Sequence, residues 1–485
     1  MDKYEIQDDM GIFMIQKIYA KMENSTSIQK IRQVMTSEYF MIIQCVIAAV
    51  FVSFSSKNDF TSIVYGDILF TALCSFALIM CKDIVATLMP FLLISAMSIK
   101  CYDSFDVFIK FIWFAPALAF AILFHFIVYH KKFELGAIWK GTLFVGIAVT
   151  LGGLGKITAP EYFNGTAIFY TAGLGLGMFA LYVLMNSQYE FTEKYDLRKK
   201  FSLIMTMVGL FCVYMIVHFY IANWDTFVKS GSTLAFQWRN NVSTILMLTF
   251  PFGFFLSSKK YPFIIAGFLQ YIGIMLTGSR GGTLFGTIEM GICLLVFLLA
   301  DKSNRKKNLI VIGVLAAGVL ALTQPVIKFL LPVIKRFTTE NSVRLGLFSR
   351  AVEDFKSNPL FGRGLGYMGN TDVHDPAKFA LCWYHSAPFQ VIGSFGIAGI
   401  LAFSYQLYNR MTVLFKRITL FNLTLFVSYA GLFMMSLVNP GEFSPIPYGM
   451  IATLFFVLCD KNNKFSVTEK ETEEVFKIRL RNKKK

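Results

Sequence analysis

Arg280 occupies the position in this sequence that most strongly indicates chemistry. It lies in the segment 276–282, which reads LTGSRGG and forms a glycine-rich break between apolar stretches at 264–276 and 284–299. A cation beside hydrocarbon is costly unless it lies at a membrane face or has an anionic partner. Arg280 is therefore either an arginine that reaches to the lipid headgroups or part of an anion-binding site.

Three more arginines and two histidines are candidates for the same site. Arginine stays protonated and donates paired hydrogen bonds to phosphate oxygens, so several arginines at one face suit a pyrophosphate or a polyanionic headgroup. Histidine titrates near neutral pH and can take a proton from a hydroxyl nucleophile. The candidates are Arg239, Arg344, Arg363, His374 and His385. The alternative is structural: helix-end anchors, solvated cations, a surface histidine at 374 and an aromatic belt around 385.

We expect no cofactor and no metal. Asp372 and Asp375 stand apart from other acids, so the sequence does not predict a carboxylate site for Mg²⁺ or Mn²⁺. The eight cysteines lack Cys-x-x-Cys spacing. Without an ATP-binding motif, energy for a reaction has to arrive in an activated substrate. The Gly-x-Gly-x-Gly run at 362–366 can cradle phosphate, but it lacks a strand-turn-helix context and favours a plain turn.

The elements that position these residues are predicted to be membrane-spanning helices. The chain has 485 residues, of which 55% are hydrophobic and 52 are Phe, and such a composition is typical of polytopic membrane proteins. Recurring apolar runs of about 20 residues predict an all-α transmembrane bundle of about fourteen spans. The runs are 39–56, 63–81, 84–99, 107–129, 136–154, 168–188, 201–222, 242–257, 261–277, 282–300, 308–325, 386–408, 419–438 and 445–459.

The net charge of +16 is interpreted as a topology signal. The basic clusters are at 130–132, 198–200, 259–260, 305–307, 410 with 416–417, and 479–485. All of them fall on one side when the N-terminus is cytoplasmic, which predicts two cytoplasmic termini and an even number of spans. The expected partner of this charge is the lipid bilayer, and no nucleic acid is expected.

The predicted organisation has one long extracytoplasmic loop. Residues 1–38 form a cytoplasmic segment, 39–325 carry spans 1–11, 326–385 form the loop, 386–459 carry spans 12–14, and 460–485 form a basic cytoplasmic tail. Within the loop, the apolar and basic residues of 327–337 predict an interfacial helix. The pattern of 344–355 predicts an amphipathic helix that stops at Asn358. Four ionisable residues inside predicted spans need partners, namely Asp67, His125, His218 and Glu289.

The order of four elements over residues 235–405 resembles the O-antigen ligase and O-antigen polymerase family of bacterial membrane glycosyltransferases. The first two are Arg239-Asn240-Asn241 before a span and the LTGSRGG segment between two spans. The other two are Arg344 followed by NPLFGRG at 358–364, and His385-Ser386 with Gln390, Gly396 and Gly399. The family often has His-Asn where this chain has His385-Ser386.

The resemblance implies a metal-independent, inverting glycosyl transfer of the GT-C type at the outer face of the bacterial cytoplasmic (inner) membrane. The donor would be an oligosaccharide on undecaprenyl pyrophosphate, and the acceptor a glycan or glycolipid. Arg239, Arg280 and Arg344 would bind the pyrophosphate, with Arg280 also stabilising the leaving group. His385 would be the base, and Arg363 and His374 are further candidates.

Polymerase and ligase differ in the acceptor, and we favour a polymerase of capsular or other surface polysaccharide. A ligase to a lipid A-core acceptor is the alternative within the family. A lipid-linked oligosaccharide flippase or permease is the alternative from another class, because Asp67 and Glu289 suit ion coupling within spans. A non-catalytic scaffold for envelope assembly leaves the arginines and histidines unexplained.

Overall fold

The computed structural model shows helices, without β-strands in the residues that it describes. These residues are 3–56, 59–83, 85–100, 112–153, 165–189, 197–300, 304–321, 323–339, 341–365 and 383–465. The predicted all-α class is confirmed over these ranges. The chain divides into two compact units, of which unit 1 comprises residues 1–135 with 183–215 and unit 2 comprises 136–182 with 216–485.

The helices of these ranges are numbered in chain order. In the first part of the chain they are α1 Lys3–Asn24, α2 Thr26–Met35, α3 Glu38–Ser53, α4 Thr61–Met80, α5 Val85–Met97, α6 Ala115–Val128, α7 Trp139–Gly153, α8 Gly165–Ala172, α9 Met178–Gln188 and α10 Leu197–Ala222. They continue with α11 Trp224–Ser230, α12 Arg239–Ser257, α13 Phe263–Leu276, α14 Arg280–Ala300, α15 Arg305–Ala321, α16 Thr323–Thr339, α17 Asn341–Ser357, α18 Ala387–Phe415, α19 Leu420–Ser436 and α20 Ile446–Lys464.

Five helical segments in the described ranges are long and apolar enough to cross a membrane. They are 61–80, 168–188, 197–222, 280–297 and 387–415, and the pair α2 and α3, bent by 59°, makes six if it forms one span. Other predicted spans correspond to shorter apolar helices, such as α13 and α19. The chain is a multi-pass membrane protein on this basis, while the count of fourteen and the side of each terminus stay predictions.

Ionisable residues inside the helices of unit 1 have nearby partners. The Asp67 carboxylate in α4 accepts a hydrogen bond of 3.1 Å from the Ser98 hydroxyl. His125 Nδ1 in α6 lies 2.7 Å from the carbonyl oxygen of Leu78 near the end of α4. Each contact satisfies one polar atom of a side chain that lies in an apolar interior.

Helix α12 lies at the centre of unit 2. Every residue from Val242 to Ser257 is buried, and α12 packs against α13, α14 and α19. A β-carbon at Gly253 would lie 2.7 Å from the backbone nitrogen of Gly267 in α13, so small residues allow the two helices to approach closely. A helix enclosed by other helices is apolar on all sides, and the sequence of α12 has this character.

The helices predicted within 326–385 are present where the structure describes that segment. Helix α16 covers the stretch 327–337, and α17 covers the stretch 344–355 and ends immediately before Asn358. Residues 366–382, which include His374, lie outside the described residues.

Helix α18 differs from the prediction at its end. The sequence predicts a span over 386–408, with Arg410 in a basic connection. Instead α18 continues to Phe415, with a break at Gly396, where φ is 59°. Arg410 is 7% exposed inside this helix. It is therefore not one of the loop cations, because Glu442 neutralises its charge within the bundle.

Candidate functional site

Arg239 and Arg280 lie at two helix starts that touch each other. Arg239 is the first residue of α12, and Arg280 is the first residue of α14. Between them, the Ser279 hydroxyl donates a hydrogen bond of 2.7 Å to the Asn240 side-chain oxygen. Both arginines are half-buried. Because a helix N-terminus carries partial positive charge, two cations and two positive helix ends meet at this place.

The LTGSRGG segment folds in a way that its residue types explain. Gly278 has a left-handed φ of 64°, which ends α13 at low steric cost. The Ser279 hydroxyl accepts a hydrogen bond of 3.1 Å from the Gly282 amide and so caps the start of α14. A β-carbon at Gly282 would lie 2.7 Å from that of Ser243, so this glycine permits the close approach of α14 to α12.

Two tyrosines that the sequence reasoning did not single out hold the surroundings of these helix starts. The Tyr220 hydroxyl donates to the Leu276 carbonyl at 2.7 Å and accepts from the Leu234 amide at 3.0 Å. The Tyr448 hydroxyl, near the start of α20, donates to the Asn241 carbonyl at 2.8 Å. The hydroxyl of a tyrosine in an apolar helix needs a hydrogen-bond partner, so such tyrosines are the sequence feature that could have indicated these contacts.

His385 and Arg344 form the second part of the candidate site. The rings of Phe348 and Phe389 stack at a centroid distance of 4.3 Å and so fix α17 against α18. Each phenylalanine lies four residues, about one helical turn, after a candidate residue, Arg344 or His385. His385 is exposed overall, yet desolvation lowers the pKa of its imidazole, and the positive charge of Arg344 lowers it further. Its φ of 53° is unusual for a residue other than glycine.

Arg363 lies in a turn that packs on the break in α18. Its Nε donates to the Ser357 hydroxyl at 2.8 Å, and its amide donates to the Gly393 carbonyl at 2.9 Å. The amides of Gly362 and Gly364 also donate to backbone carbonyls. These three amides are occupied within the protein, so the described part of the glycine run, 362–364, is a turn, as predicted, and does not present them to a phosphate.

The helix directions bring the two parts of the candidate site to one end of unit 2. Helices α18 and α19 pack together and are joined by residues 416–419 alone, so they run antiparallel. The end of α19 meets the start of α14, where a β-carbon at Gly281 would lie 3.1 Å from the Met435 sulfur. Between α19 and α20, Phe443 packs against Phe395 at the break in α18, with ring centroids 6.0 Å apart.

A buried ion pair in unit 2 involves a residue that the sequence reasoning missed. Arg410 Nη1 in α18 donates to both carboxylate oxygens of Glu442 at 2.9 and 2.7 Å, and to the Tyr429 hydroxyl at 2.8 Å. Glu442 lies in the connection between α19 and α20 and directly precedes Phe443. Charges in apolar helices generally pair with one another. An arginine and a glutamate at the margins of neighbouring apolar runs are therefore the sequence feature that could have indicated this ion pair.

Glu289, inside α14, is separate from the cationic end of the unit. It is fully buried against Gly431 of α19, where a β-carbon would contact the Glu289 carboxylate. Among the described residues, no group of three or more His, Cys, Asp or Glu side chains is placed to hold a metal ion.

The described residues define a class: a multi-pass membrane protein, helical over these ranges, with the candidate arginines and histidine near the starts of helices. Residues 265–404 match the family model described as O-antigen ligase, which confirms the predicted resemblance over this part of the chain. The matched range includes Arg280, Arg344 and His385, while Arg239 precedes it. No curated protein and no solved structure matches the chain.

Proposed function

We propose that this protein is an inverting, metal-independent membrane glycosyltransferase that transfers or polymerises oligosaccharide from undecaprenyl pyrophosphate. The reaction takes place at the outer face of the bacterial cytoplasmic membrane. The match of residues 265–404 to the O-antigen ligase model supports a ligase- or polymerase-type activity on lipid-linked glycans.

The contact between the starts of α12 and α14 is the observation that carries this proposal. It sets Arg239 and Arg280 at two adjacent helix N-termini. A pyrophosphate that leaves a sugar gains negative charge, and preorganised cations and helix ends stabilise that charge in the transition state. Arg344 is the third cation of the proposed pyrophosphate site, and it lies on the histidine side.

His385 is the proposed base for the acceptor hydroxyl. Its lowered pKa favours the neutral imidazole, which is the form that accepts a proton from a hydroxyl. In the proposed step the acceptor oxygen forms a bond to the anomeric carbon of the donor sugar. The bond from that carbon to the phosphate oxygen breaks, the pyrophosphate leaves with the electron pair, and the hydroxyl proton passes to His385.

We propose that the protein is a polymerase, in which the growing surface glycan and the next lipid-linked repeat unit react with each other. One class of lipid-linked substrate then serves as both donor and acceptor. Transfer to a lipid A-core acceptor is the ligase alternative, and it uses the same pyrophosphate site.

Reconstitution in liposomes with a lipid-linked repeat unit tests the proposal, with glycan length followed by gel. Arg280→Ala and His385→Ala should abolish elongation while the protein remains folded in the membrane. Arg305→Ala is the matched arginine control, because Arg305 is the first residue of α15 and is exposed. His130→Ala is the matched histidine control, because His130 is exposed and has a left-handed φ of 51°.

The outcomes separate the alternatives. Loss of elongation in the two site variants alone supports the proposed mechanism, and normal elongation in both refutes it. New glycosidic bonds formed only to a lipid A-core acceptor identify a ligase. Movement of the substrate across the liposome without new glycosidic bonds identifies a transporter.

A further inference from the structure

Tyr384, the residue before His385, is held at both its backbone and its side chain. It is fully buried, with 0% exposure. Its hydroxyl donates a hydrogen bond of 2.7 Å to the Asp354 carboxylate in α17. Its backbone amide donates to the Gln390 side-chain oxygen at 3.1 Å, one turn into α18. The two contacts tie this residue to both helices that flank the candidate base.

The partners of Tyr384 are themselves fixed. Gln390 is fully buried, and its side-chain nitrogen donates to the Ser394 hydroxyl at 2.8 Å. Asp354 is 3% exposed, and one of its oxygens lies 3.7 Å from Arg350 Nε. A β-carbon at Gly393 would lie 2.9 Å from the tyrosine ring, so the ring fills the space beside α18. Tyr384 thus has little freedom to shift.

The conformation of His385 requires such support. A left-handed φ is strained for a residue with a β-carbon, and it persists only where the surroundings enforce it. Tyr384 fixes the chain on one side of His385. On the other side, the Ser386 carbonyl accepts a hydrogen bond of 2.8 Å from the Gln390 amide at the start of α18.

We propose that Asp354, Tyr384 and Gln390 are positioning residues that hold the His385 imidazole beside Arg344 in its working orientation. The proposal rests on the proposed function in that His385 serves there as the base. None of the three has to touch the substrate. They act on His385 through the backbone of the preceding residue, Tyr384. The hydrogen bond from the Tyr384 hydroxyl to the Asp354 carboxylate joins the residue before α18 to α17, and a conservative substitution can remove it.

Tyr384→Phe is the decisive variant, because it deletes only the hydroxyl and changes no charge. The charged groups that α17 and the following turn bring to this region, Arg344, Arg350, Asp354 and Arg363, all remain. Tyr182→Phe is the matched control. Tyr182 is also fully buried, and its hydroxyl accepts a single hydrogen bond of 3.1 Å, from the Ile138 amide.

The first readout does not depend on activity. The full-length protein is labelled with ¹⁵N-histidine, and His385→Ala assigns one of the five histidine signals in the NMR titration. Release of the ring should move it away from the protein and from Arg344, so its pKa should rise towards 6.5 in Tyr384→Phe and stay unchanged in Tyr182→Phe. A His385 titration in Tyr384→Phe that matches the wild type overturns the proposal, whatever the activity.

The second readout is the transfer reaction itself. A base that loses its orientation should lower kcat by about 10–100-fold, with the donor KM unchanged within about twofold. The acidic limb of kcat should move to higher pH together with the pKa. An equal, small loss in both tyrosine variants overturns the proposal. If the wild type transfers no sugar, the proposed function fails, and the NMR titration still decides whether His385 is positioned in this way.

Discussion

Ser279→Ala should uncouple the two helix starts that carry Arg239 and Arg280. Ser279 is 0% exposed, donates to Asn240 at 2.7 Å and accepts from the Gly282 amide at 3.1 Å. Loss of a serine cap costs about 1 kcal/mol, and loss of a neutral hydrogen bond about 1 kcal/mol more. The free energy of unfolding should therefore fall by about 2 kcal/mol. Sugar transfer should slow by about tenfold or more, because the arginines lose their fixed geometry.

A double-mutant cycle with Asn240→Ala measures the contact. The free energy of unfolding in detergent is determined for both single variants and for the double variant, and the two changes should be coupled by about 1 kcal/mol. Ser257→Ala is the control, since Ser257 is buried in α12, the helix that carries Asn240, and donates only to the Phe254 carbonyl, at 2.7 Å. Additive changes, together with a transfer rate like that of Ser257→Ala, would refute the reasoning.

Three further predictions concern the pH dependence and the packing. Arg344→Gln removes a positive charge that lowers the pKa of His385, so the acidic limb of the pH profile of the transfer rate should move to higher pH. An unchanged acidic limb would contradict the proximity of Arg344 to His385. Gly362→Ala should lower stability by about 1–3 kcal/mol, because φ is 68° and backbone atoms of residues 394 and 395 block a β-carbon. Its control is Gly346→Ala, in open space on α17, which should be neutral or stabilising in the same thermal unfolding assay. Glu442→Gln should lower the free energy of unfolding by roughly 2–4 kcal/mol, because it leaves the buried Arg410 without its anion. The loss is somewhat less than for a fully enclosed ion pair, since the Glu442 side chain is 20% exposed. An unchanged Tm would contradict the ion pair.

The sequence predicts the helical class and much of the local structure. Apolar runs of about 20 residues require helices in a membrane, because every backbone polar group has to be satisfied within the segment. The 3.6-residue pattern at 344–355 predicted α17, and Asn358-Pro359 predicted its end. Pattern and composition succeed here because each of these features depends on neighbouring residues alone.

The end of α18 could not be predicted in this way. Arg410 within an apolar run indicates a helix boundary, since an isolated charge is costly there. The helix continues because Glu442, 32 residues further along the chain, neutralises the guanidinium inside the bundle. Which acid meets which base depends on how helices pack, and a linear pattern does not record that.

For the candidate site, the sequence by itself determined the residue types and their order: arginines at the margins of apolar runs, a histidine before a late helix, and glycines that favour turns. Tertiary structure alone decided the rest. Asn240 and Ser279 are 39 residues apart, and only the packing of α12 against α14 brings them into contact and sets two arginines at adjoining helix ends. The left-handed histidine beside Arg344 likewise depends on a tyrosine fixed between α17 and α18. Local preferences reside in neighbouring residues, whereas contacts between distant segments arise only when whole helices bury their surfaces against one another.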